Sequence, residues 1–326
     1  MANERCLVLG SNSCAGSHFI NYALQQGAEI LATSRSPENP QRYLAYPKGS
    51  VDYQKLNLNS GESAISKVFS GFKPTSVVNF ASQSMVAESW QSPEDWIKTN
   101  NLGLLELLKN VAKYELASKY VHYSTPEVYG NVTGRVDETA VFNPSTPYAA
   151  TRALGDSFVK MWHHHYGIPA VITRAGNIYG EGQRPYRLIP KTLFSILNNI
   201  KFPLHGGGVS KRNFVHGYDS AAAVWLLLHQ GVTGETYHIS SDEYVSVLNL
   251  VEKIAGLYGK GVADICEVAP ERMGKDMDYS LGHLKLQKLG WRQVVSLDAG
   301  LEKVRLEFEG SYDEIVDDEL WYKHKE

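Results

Sequence analysis

Short apolar runs alternate with longer amphipathic segments along the first 180 residues. The apolar runs are typical of buried strands and lie at 6–10, 29–34, 53–58, 76–82 and 120–125. The amphipathic segments predict helices at 17–27, 61–71, 93–117 and 146–166, and the run 170–180 predicts one more strand. Strands that alternate with helices call for a parallel sheet covered on both faces. We therefore predict an α/β fold.

After residue 180 the alternation becomes less regular. Helices are predicted at 188–200, 218–231 and 246–261, with one strand at 235–240. Because no linker, repeat or low-complexity run separates this part, we expect it to pack against the first sheet and form a cleft with it. We predict two domains, 1–180 and a smaller mixed α/β domain at 181–326, with later segments of the chain returning to the first.

Charge and cysteine content exclude several classes of protein. The 326 residues carry a formal charge of −3 without a basic block, which argues against a nucleic-acid partner. The sequence has no run of about 18 apolar residues, the length that is needed to cross a membrane. Three widely spaced cysteines predict neither a disulfide framework nor a metal set, so we expect a reducing cytoplasm. Consecutive histidines at 163–165 would point in three directions on a helix, and we predict no metal there.

Two glycines lie between the first strand and the first helix, in VLGSNSCAGSHF. Gly10 and Gly16 are placed where a dinucleotide fingerprint needs a turn and a close approach to pyrophosphate, at a helix N-terminus. Ser13 lies at the position of the middle glycine in G-x-x-G-x-x-G, the form of this fingerprint in the extended short-chain dehydrogenase/reductases, which the segment resembles. Ordinary turn glycines are the alternative, but the position inside a β-α-β unit favours dinucleotide binding. We therefore predict a Rossmann-type, doubly wound sheet for residues 1–180.

The end of the second predicted strand distinguishes NAD from NADP. An acidic residue there bonds the adenosine ribose of NAD, whereas arginine accommodates the 2′-phosphate of NADP. This chain has TSRS, with Arg35 and no carboxylate. We therefore predict NADP as the cofactor, with NAD as the alternative, and we place Asn57 beside the adenine.

Two polar motifs carry the predicted chemistry. STPEVYG provides Thr125 and Glu127 at the end of a strand, and PSTPYAATRAL provides Tyr148 and Arg152 four residues apart on one helix face. A cation beside a tyrosine stabilises the phenolate and lowers the phenol pKa from about 10, so that the side chain can accept a hydroxyl proton. We predict these four residues to be catalytic.

The two motifs resemble those of the extended short-chain dehydrogenase/reductases, and the chain from residue 6 to about 300 resembles their nucleotide-sugar epimerases and dehydratases. NFASQSMVAESWQSP, RAGNIYG with RLIPKTLFSIL, SKRNFVHGYDSA and ERMGKDMDYSLGHLKLQKLGW look like segments of the GDP-mannose and dTDP-glucose 4,6-dehydratases. The resemblance implies further cofactor contacts from Ala81 and Asn100. It implies substrate contacts from Gln83, Ser84, Asn177, Arg187, Arg212 and Arg272, in part because arginines and an amide suit a diphosphate.

Pro126 stands between the two polar side chains at the strand end. By resemblance, dTDP-glucose dehydratases have Asp there as the acid for the departing hydroxyl, whereas GDP-mannose dehydratases have Ser and manage without that acid. The 4-epimerases have a neutral residue in place of Glu127. The retained glutamate therefore argues for elimination and against simple epimerisation.

We predict a nucleotide-sugar 4,6-dehydratase that oxidises C4, eliminates water across C5 and C6, and returns the hydride. Alternatives on the same scaffold are a 4-dehydrogenase, 4-epimerase, 5,6-dehydratase or decarboxylase. The altered motif at Arg152 also leaves open a non-catalytic nucleotide-sugar binder. The resemblance implies a homodimer formed through the helices at 93–117 and 146–166.

Overall fold

The computed structural model describes residues 4–116, 118–132, 134–270, 280–315 and 322–324. The strands of this part are β1 (Arg5–Leu9), β2 (Glu29–Ser34), β3 (Asp52–Lys55), β4 (Ser76–Asn79), β5 (Tyr120–Ser124), β6 (Arg135–Val136), β7 (Ala170–Ala175), β8 (Asn177–Tyr179), β9 (Phe202–His205), β10 (Lys211–His216), β11 (Thr236–Ile239), β12 (Tyr244–Ser246), β13 (Cys266–Ala269) and β14 (Ser280–Leu281). The helices are α1 (Cys14–Gln25), α2 (Glu62–Phe72), α3 (Pro93–Ile97), α4 (Leu104–Lys113), α5 (Pro147–Tyr166), α6 (Leu188–Leu197), α7 (Gly217–Gln230), α8 (Val247–Gly256), α9 (Val262–Ile265), α10 (Leu284–Lys288) and α11 (Leu297–Gly310).

The large sheet confirms the predicted fold class. Its seven strands follow the order β11-β7-β5-β4-β1-β2-β3, and every pairing is parallel. The chain winds outward from β1 in both directions, so the strand order reverses between β1 and β4. Ligands of such sheets bind beyond the carboxyl ends of the strands at this point. The fold thus places a cleft after β1 and β4.

Segments beyond residue 180 return to this sheet. β11 forms its edge beside β7, and α7 packs against α1 on one face. A separate apolar core joins α6, α8 and α11 over small sheets made by β8, β10 and β12 and by β9 and β13. The domain division at residue 180 stays a prediction, because the two parts share elements across it.

Two elements differ from their predicted form. The strand expected at 170–180 is broken at Gly176, so that β7 lies in the large sheet and β8 pairs with β10. A Cβ at Gly176 would lie 2.9 Å from the Asn213 carbonyl oxygen, so glycine permits the crossing of the two sheets.

The helix expected at 93–117 is also interrupted. A widened π-type turn, Lys98–Gly103, separates α3 from α4. The extra residue turns two consecutive amides toward α5: Asn100 donates to the Thr151 hydroxyl at 3.1 Å and Asn101 to the Thr151 carbonyl at 2.8 Å. Periodicity alone does not register such an insertion, because the apolar pattern continues on either side.

Candidate active site

A cleft of about 900 Å³ lies at the carboxyl ends of β1, β4 and β5, between the large sheet and the second core. The wall includes most of the residues predicted for the site: Gly10, Ser13, Arg35, Asn57, Ala81, Ser84, Thr125, Glu127, Tyr148, Arg152, Asn177, Arg187 and Arg212. Its size is typical of a cofactor or small-ligand site. The fold thus brings together motifs that are more than 200 residues apart.

The loop after β1 is a tight turn packed against the segment that follows β4. Gly10 has φ +77°, and a Cβ there would lie 2.6 Å from the Ala81 nitrogen. A Cβ on Gly16 would lie 2.6 Å from the Gly10 carbonyl oxygen, although Gly16 itself is behind the cleft wall. Ser13 caps α1: its Oγ accepts from the Gly16 N–H at 3.0 Å and donates to the Gly10 carbonyl at 2.8 Å. Serine at position 13, in place of the middle glycine of the fingerprint, is therefore compatible with the tight turn.

Arg35 and Asn57 line the same end of the cleft, after β2 and β3. Arg35 lies close enough to the phenol of Tyr322, a residue near the end of the described chain, for its charge to lower the pKa of that phenol. The Asn57 side chain accepts from the Asn59 N–H at 3.0 Å and so fixes the turn that follows β3. Asn57 is thus positioned by a local bond, whereas Arg35 lies beside a residue from a distant part of the chain.

Asn100 and Gln83 were predicted to touch ligands, and the structure gives them another position. Each is 2% exposed, and neither is among the described residues that line the cleft. Asn100 accepts from the Gln83 N–H at 2.8 Å and donates to the Gln83 carbonyl at 3.0 Å. This pair supports the segment between Ala81 and Ser84 from behind. Ala81 does line the cleft, and its N–H donates to Asn79 at 3.0 Å.

The turn after β5 explains how Pro126 is accommodated. Thr125 is the N-cap and Pro126 the first residue of a short 3₁₀ turn, where the missing N–H of proline would have no partner in any case. The Thr125 hydroxyl accepts from the Glu127 N–H at 3.4 Å. Thr125 and Glu127 therefore both line the cleft, and Pro126 costs the turn no hydrogen bond.

Tyr148 begins α5 beside these two side chains and is 8% exposed. Burial raises its pKa, the charges of Arg152 and Arg187 and a hydrogen bond with Thr125 lower it, and the carboxylate of Glu127 raises it. We predicted a pKa lowered by Arg152; the net direction is upward, because burial outweighs the cation. Thr125, Glu127 and Arg187 therefore all act on the same phenol.

Arg152 lies one turn after Tyr148 and is 3% exposed. Its guanidinium donates to the Tyr123 carbonyl at the end of β5, while its Nε has no partner among the described residues. The arginine is thereby held against the strand that ends in Thr125. It can still present N–H groups to the cleft, which it lines.

The other predicted substrate residues come from the second half of the cleft. Arg187 is the N-cap of α6, and its guanidinium lies 3.4 Å from the Ser84 hydroxyl. Asn177 opens β8, and Arg212 lies on the neighbouring strand β10 and donates to the Lys211 carbonyl at 2.7 Å. All four line the cleft, whereas Arg272 lies outside the described residues.

Sequence reasoning missed several residues of the cleft. Tyr186, Tyr322 and Lys323 line it but belong to no motif, and their positions follow only from long-range packing. Cys14 also lines it; burial raises the pKa of its thiol to about 12, so it remains a neutral thiol. Within the described ranges, no three histidine, cysteine or acidic side chains are arranged to hold a metal ion. Every helix of the described chain is too short or too polar to cross a bilayer.

Comparison with known proteins identifies the family. Residues 6–240 match the NAD dependent epimerase/dehydratase family. The chain belongs to this family. It is 35% identical over 315 residues to a dTDP-glucose 4,6-dehydratase of Streptomyces niveus, covering 91% of this chain and 90% of that one. A probable dTDP-glucose 4,6-dehydratase of Sinorhizobium fredii is 29% identical over 318 residues, with 92% and 91% covered.

Solved structures of the epimerase/dehydratase family superpose over nearly the whole chain. The dTDP-glucose 4,6-dehydratase DesIV of Streptomyces venezuelae, solved with NAD, gives a TM-score of 0.88 at 28% identity, with 95% of this chain and 98% of that chain covered. A UDP-glucose 4-epimerase of Thermus thermophilus, also with NAD, gives 0.86 at 28% identity, with 94% and 99% covered. Both neighbours hold NAD, so the prediction of NADP gains no support from them.

Proposed function

We propose that this chain is a nucleotide-sugar 4,6-dehydratase. The observation that carries the proposal is the convergence of Thr125, Glu127 and Tyr148 at one point of the cleft, beside a loop suited to a dinucleotide. Full-length similarity to dTDP-glucose 4,6-dehydratases supports the same activity. A glutamate close enough to raise the pKa of the Tyr148 phenol is the extra base that elimination requires.

The residues around the loop suit a nicotinamide dinucleotide. The glycine turn after β1 and the first turn of α1, both at the cleft wall, provide a pyrophosphate cradle. We propose that Gly10, Ser13 and Ala81 hold the pyrophosphate, while Arg35 and Asn57 hold the adenosine. When bound, the nicotinamide accepts hydride from sugar C4 and later supplies it to C6, so no cofactor is consumed.

The side chains then divide the proton transfers. Tyr148, as phenolate, accepts the proton of the C4 hydroxyl while the C4–H bond breaks, and Thr125 donates a hydrogen bond to the same oxygen. The new C4 carbonyl acidifies the hydrogen on C5, which Glu127 removes. The C6 hydroxyl takes that proton from Glu127 and leaves as water, forming the C5–C6 double bond. Proton and electron counts balance, because one water departs.

The single carboxylate performs both steps because Pro126 can offer no proton. Such a mechanism requires H5 and the C6 oxygen on the same face of the sugar, within reach of Glu127. Once hydride has reached C6, C5 gains a proton from solvent, because the original C5 proton has left in the water. Tyr148 releases the C4 hydroxyl proton to solvent, which restores the phenolate and completes the 4-keto-6-deoxy sugar. Glu127 is thus proposed as base and acid in turn.

We propose that Asn177, Arg187 and Arg212 bind the diphosphate of the substrate, with Ser84 beside the sugar. Two guanidinium groups and an amide in the same half of the cleft match the charge of a diphosphate. We propose the same role for Arg272, on the resemblance alone. Asn100 and Gln83 act as positioning residues in this proposal.

The cofactor identity rests on two opposed observations. The solved neighbours hold NAD, whereas Arg35, with no carboxylate at the end of β2, favours the 2′-phosphate of NADP. We propose that the chain accepts NADP. Tighter binding of NADPH than of NADH by the full chain supports this, and the reverse order overturns it.

The remaining proposals concern the surroundings of the enzyme. We propose a cytoplasmic location, since Cys6, Cys14 and Cys266 are free thiols. We propose a homodimer through α4 and α5, which lie in the segments implied by the family resemblance. We also keep the division into a dinucleotide-binding domain, 1–180, and a nucleotide-sugar-binding domain, 181–326.

Incubation with GDP-, dTDP-, UDP- and CDP-linked sugars, read by mass spectrometry, tests the activity. Loss of one water is the expected product. Glu127→Gln should slow product formation at least ~100-fold, because it removes the base at C5. Reduced nicotinamide should still form on adding sugar, since Tyr148 and Arg152 remain. Glu267→Gln, at an exposed position on β13, is the matched control and should behave as wild type.

Other outcomes separate the alternatives. An unchanged mass with altered stereochemistry would identify a 4-epimerase, like the Thermus neighbour, and loss of two hydrogens would identify a 4-dehydrogenase. Loss of carbon dioxide would identify a decarboxylase. Binding of a nucleotide sugar without any reduced nicotinamide would leave a non-catalytic binder. Full turnover by Glu127→Gln would reject the proposed base.

A further inference from the structure

Three residues near the end of the described chain lie against the cleft. Tyr322 and Lys323 line it together with Gly10 and Arg35, and His324 follows them. We call residues 322–324 the C-terminal strap. No motif predicted its position, and the proposed mechanism does not use it.

Tyr322 contacts both sides of the cleft. Its phenol lies close enough to Arg35, which follows β2 in the large sheet, for the charge of Arg35 to lower the pKa of the phenol. Its ring meets the edge of the Tyr186 ring at 5.4 Å between centroids, and Tyr186 precedes Arg187 at the start of α6. Burial is the main cause that raises the pKa of Tyr322, so the phenol stays neutral. One side chain therefore bridges the adenosine end and the opposite wall.

His324 anchors the strap to the large-sheet half. Its Nε2 lies 2.9 Å from Asp95 Oδ2, and its ring stacks on Trp96 at 5.0 Å with an interplanar angle of 17°. Both partners belong to α3 and are buried, at 7% and 0% exposed. A bond and a stack to rigid, buried partners fix the strap more firmly than a surface contact would.

We propose that the C-terminal strap forms the outer wall of the adenosine pocket and retains the dinucleotide between turnovers. Three observations support this: Tyr322 lines the cleft together with Arg35, Lys323 adds a cation to the cleft wall, and His324 ties the segment to α3. The end of β2 is where the adenosine ribose of a dinucleotide lies in this fold. Because a dehydratase returns its hydride, its cofactor need not exchange in each cycle, and slow release is compatible with turnover. The inference rests on the dinucleotide part of the proposed function.

Release of NADH and of NADPH from the full chain tests the strap. The bound, fluorescent cofactor is displaced by excess NAD or NADP in stopped flow, without any sugar. Tyr322→Phe removes the hydroxyl beside Arg35, and His324→Ala removes the anchor on α3. We expect roughly tenfold faster release from His324→Ala and a smaller acceleration from Tyr322→Phe, with association unchanged.

Two matched variants control for loss of a similar group elsewhere. Tyr312→Phe removes a hydroxyl that donates to Asn198 at 2.7 Å, and His229→Ala removes a ring that contacts Trp225 at 4.7 Å. Neither residue is among those that line the cleft in the described chain, so both variants should release cofactor at the wild-type rate.

Unchanged cofactor release from both strap variants would overturn the proposal. Faster cofactor association with unchanged release would also overturn it, because the strap would then hinder cofactor entry and not retain the cofactor. These results are independent of the dehydratase assignment. If the chain binds cofactor tightly and the strap variants do not change its release, the dehydratase assignment remains intact. Faster release without dehydration of any sugar supports the strap and rejects the activity.

Discussion

At the scale of single residues, the main departure is Arg152 on the turn after Tyr148. Arginine keeps its charge throughout the working pH range, so its effect on the phenol is constant. That effect opposes burial, which is the largest cause of the raised pKa of Tyr148. The guanidinium is also held by the Tyr123 carbonyl, which fixes it beside the phenol.

The pH profile of C4 oxidation tests this arrangement. The phenolate is the active base, so the rate rises with pH through the pKa of Tyr148. Arg152→Gln removes a charge that lowers this pKa, and the rising limb should move to higher pH with a slower rate at neutral pH. Arg152→Lys keeps the charge and should leave the limb near its wild-type position. Coincident profiles for Arg152→Gln and wild type would show that the charge does not act on Tyr148.

Some residues of the candidate site could be placed together from the sequence because their partners are close in the chain. Tyr148 and Arg152 lie one helical turn apart, and Thr125 and Glu127 share one turn. Contacts that arise from packing left no such signal. Tyr322 meets Arg35 across nearly the whole length of the chain, and the raised pKa of Tyr148 depends on burial, which local spacing does not reveal.

At the scale of elements, the N-terminus of α1 joins helix stability to cofactor binding. Ser13 caps the helix and also bonds the Gly10 carbonyl, so the same hydroxyl shapes the turn that would face pyrophosphate. The sequence predicted α1 to begin at residue 17, whereas it begins at Cys14. The early start follows from this cap, which apolar periodicity does not register.

A pair of cap variants separates the two roles of Ser13. Ser13→Ala and Ser296→Ala, at the cap of α11, should each lower the free energy of unfolding by about 1 kcal/mol. Only Ser13→Ala should also weaken dinucleotide binding, because Ser296 lies outside the cleft. Chemical denaturation and cofactor titration provide the two measurements. Equal cofactor affinity in both variants would make Ser13 a helix cap alone.

The strand broken at Gly176 and the widened turn before α4 show a further limit of pattern reading. In both segments the apolar residues continue on either side of the interruption, so the pattern predicts one long element. What divides them is a neighbour in space: β10 beside Gly176, and α5 beside Asn100 and Asn101. Such interruptions need knowledge of the packing partner.

At the scale of the whole molecule, α5 and the segment before α4 share an exposed apolar face. Leu154 and Met161 lie seven residues apart on α5 and are 46% and 49% exposed, and Leu102 beside them is 56% exposed. α5 packs along α3 and α4, the helices on either side of the turn that carries Leu102. A large exposed apolar patch is typical of a protein interface.

Sedimentation tests the proposed homodimer. The wild-type chain should sediment as a dimer, and the double variant Leu154→Lys with Met161→Lys should sediment as a monomer because charges would be buried at the interface. Leu257→Lys changes an equally exposed leucine after α8 and should remain dimeric. A wild-type monomer at micromolar concentration would contradict the dimer.

The return of β11 and α7 to the large sheet has a consequence for how such chains can be recombined. If two related chains were recombined at residue 180, the exchange would carry the proposed substrate-binding part together with β11, an edge strand, and α7, a covering helix. Both of these elements belong to the proposed dinucleotide-binding part. The incoming β11 would have to match the register of the resident β7, and α7 would have to fit the surface of α1. New substrate specificity is therefore more readily acquired by replacing the loops around the cleft than by exchanging the C-terminal half as a cassette.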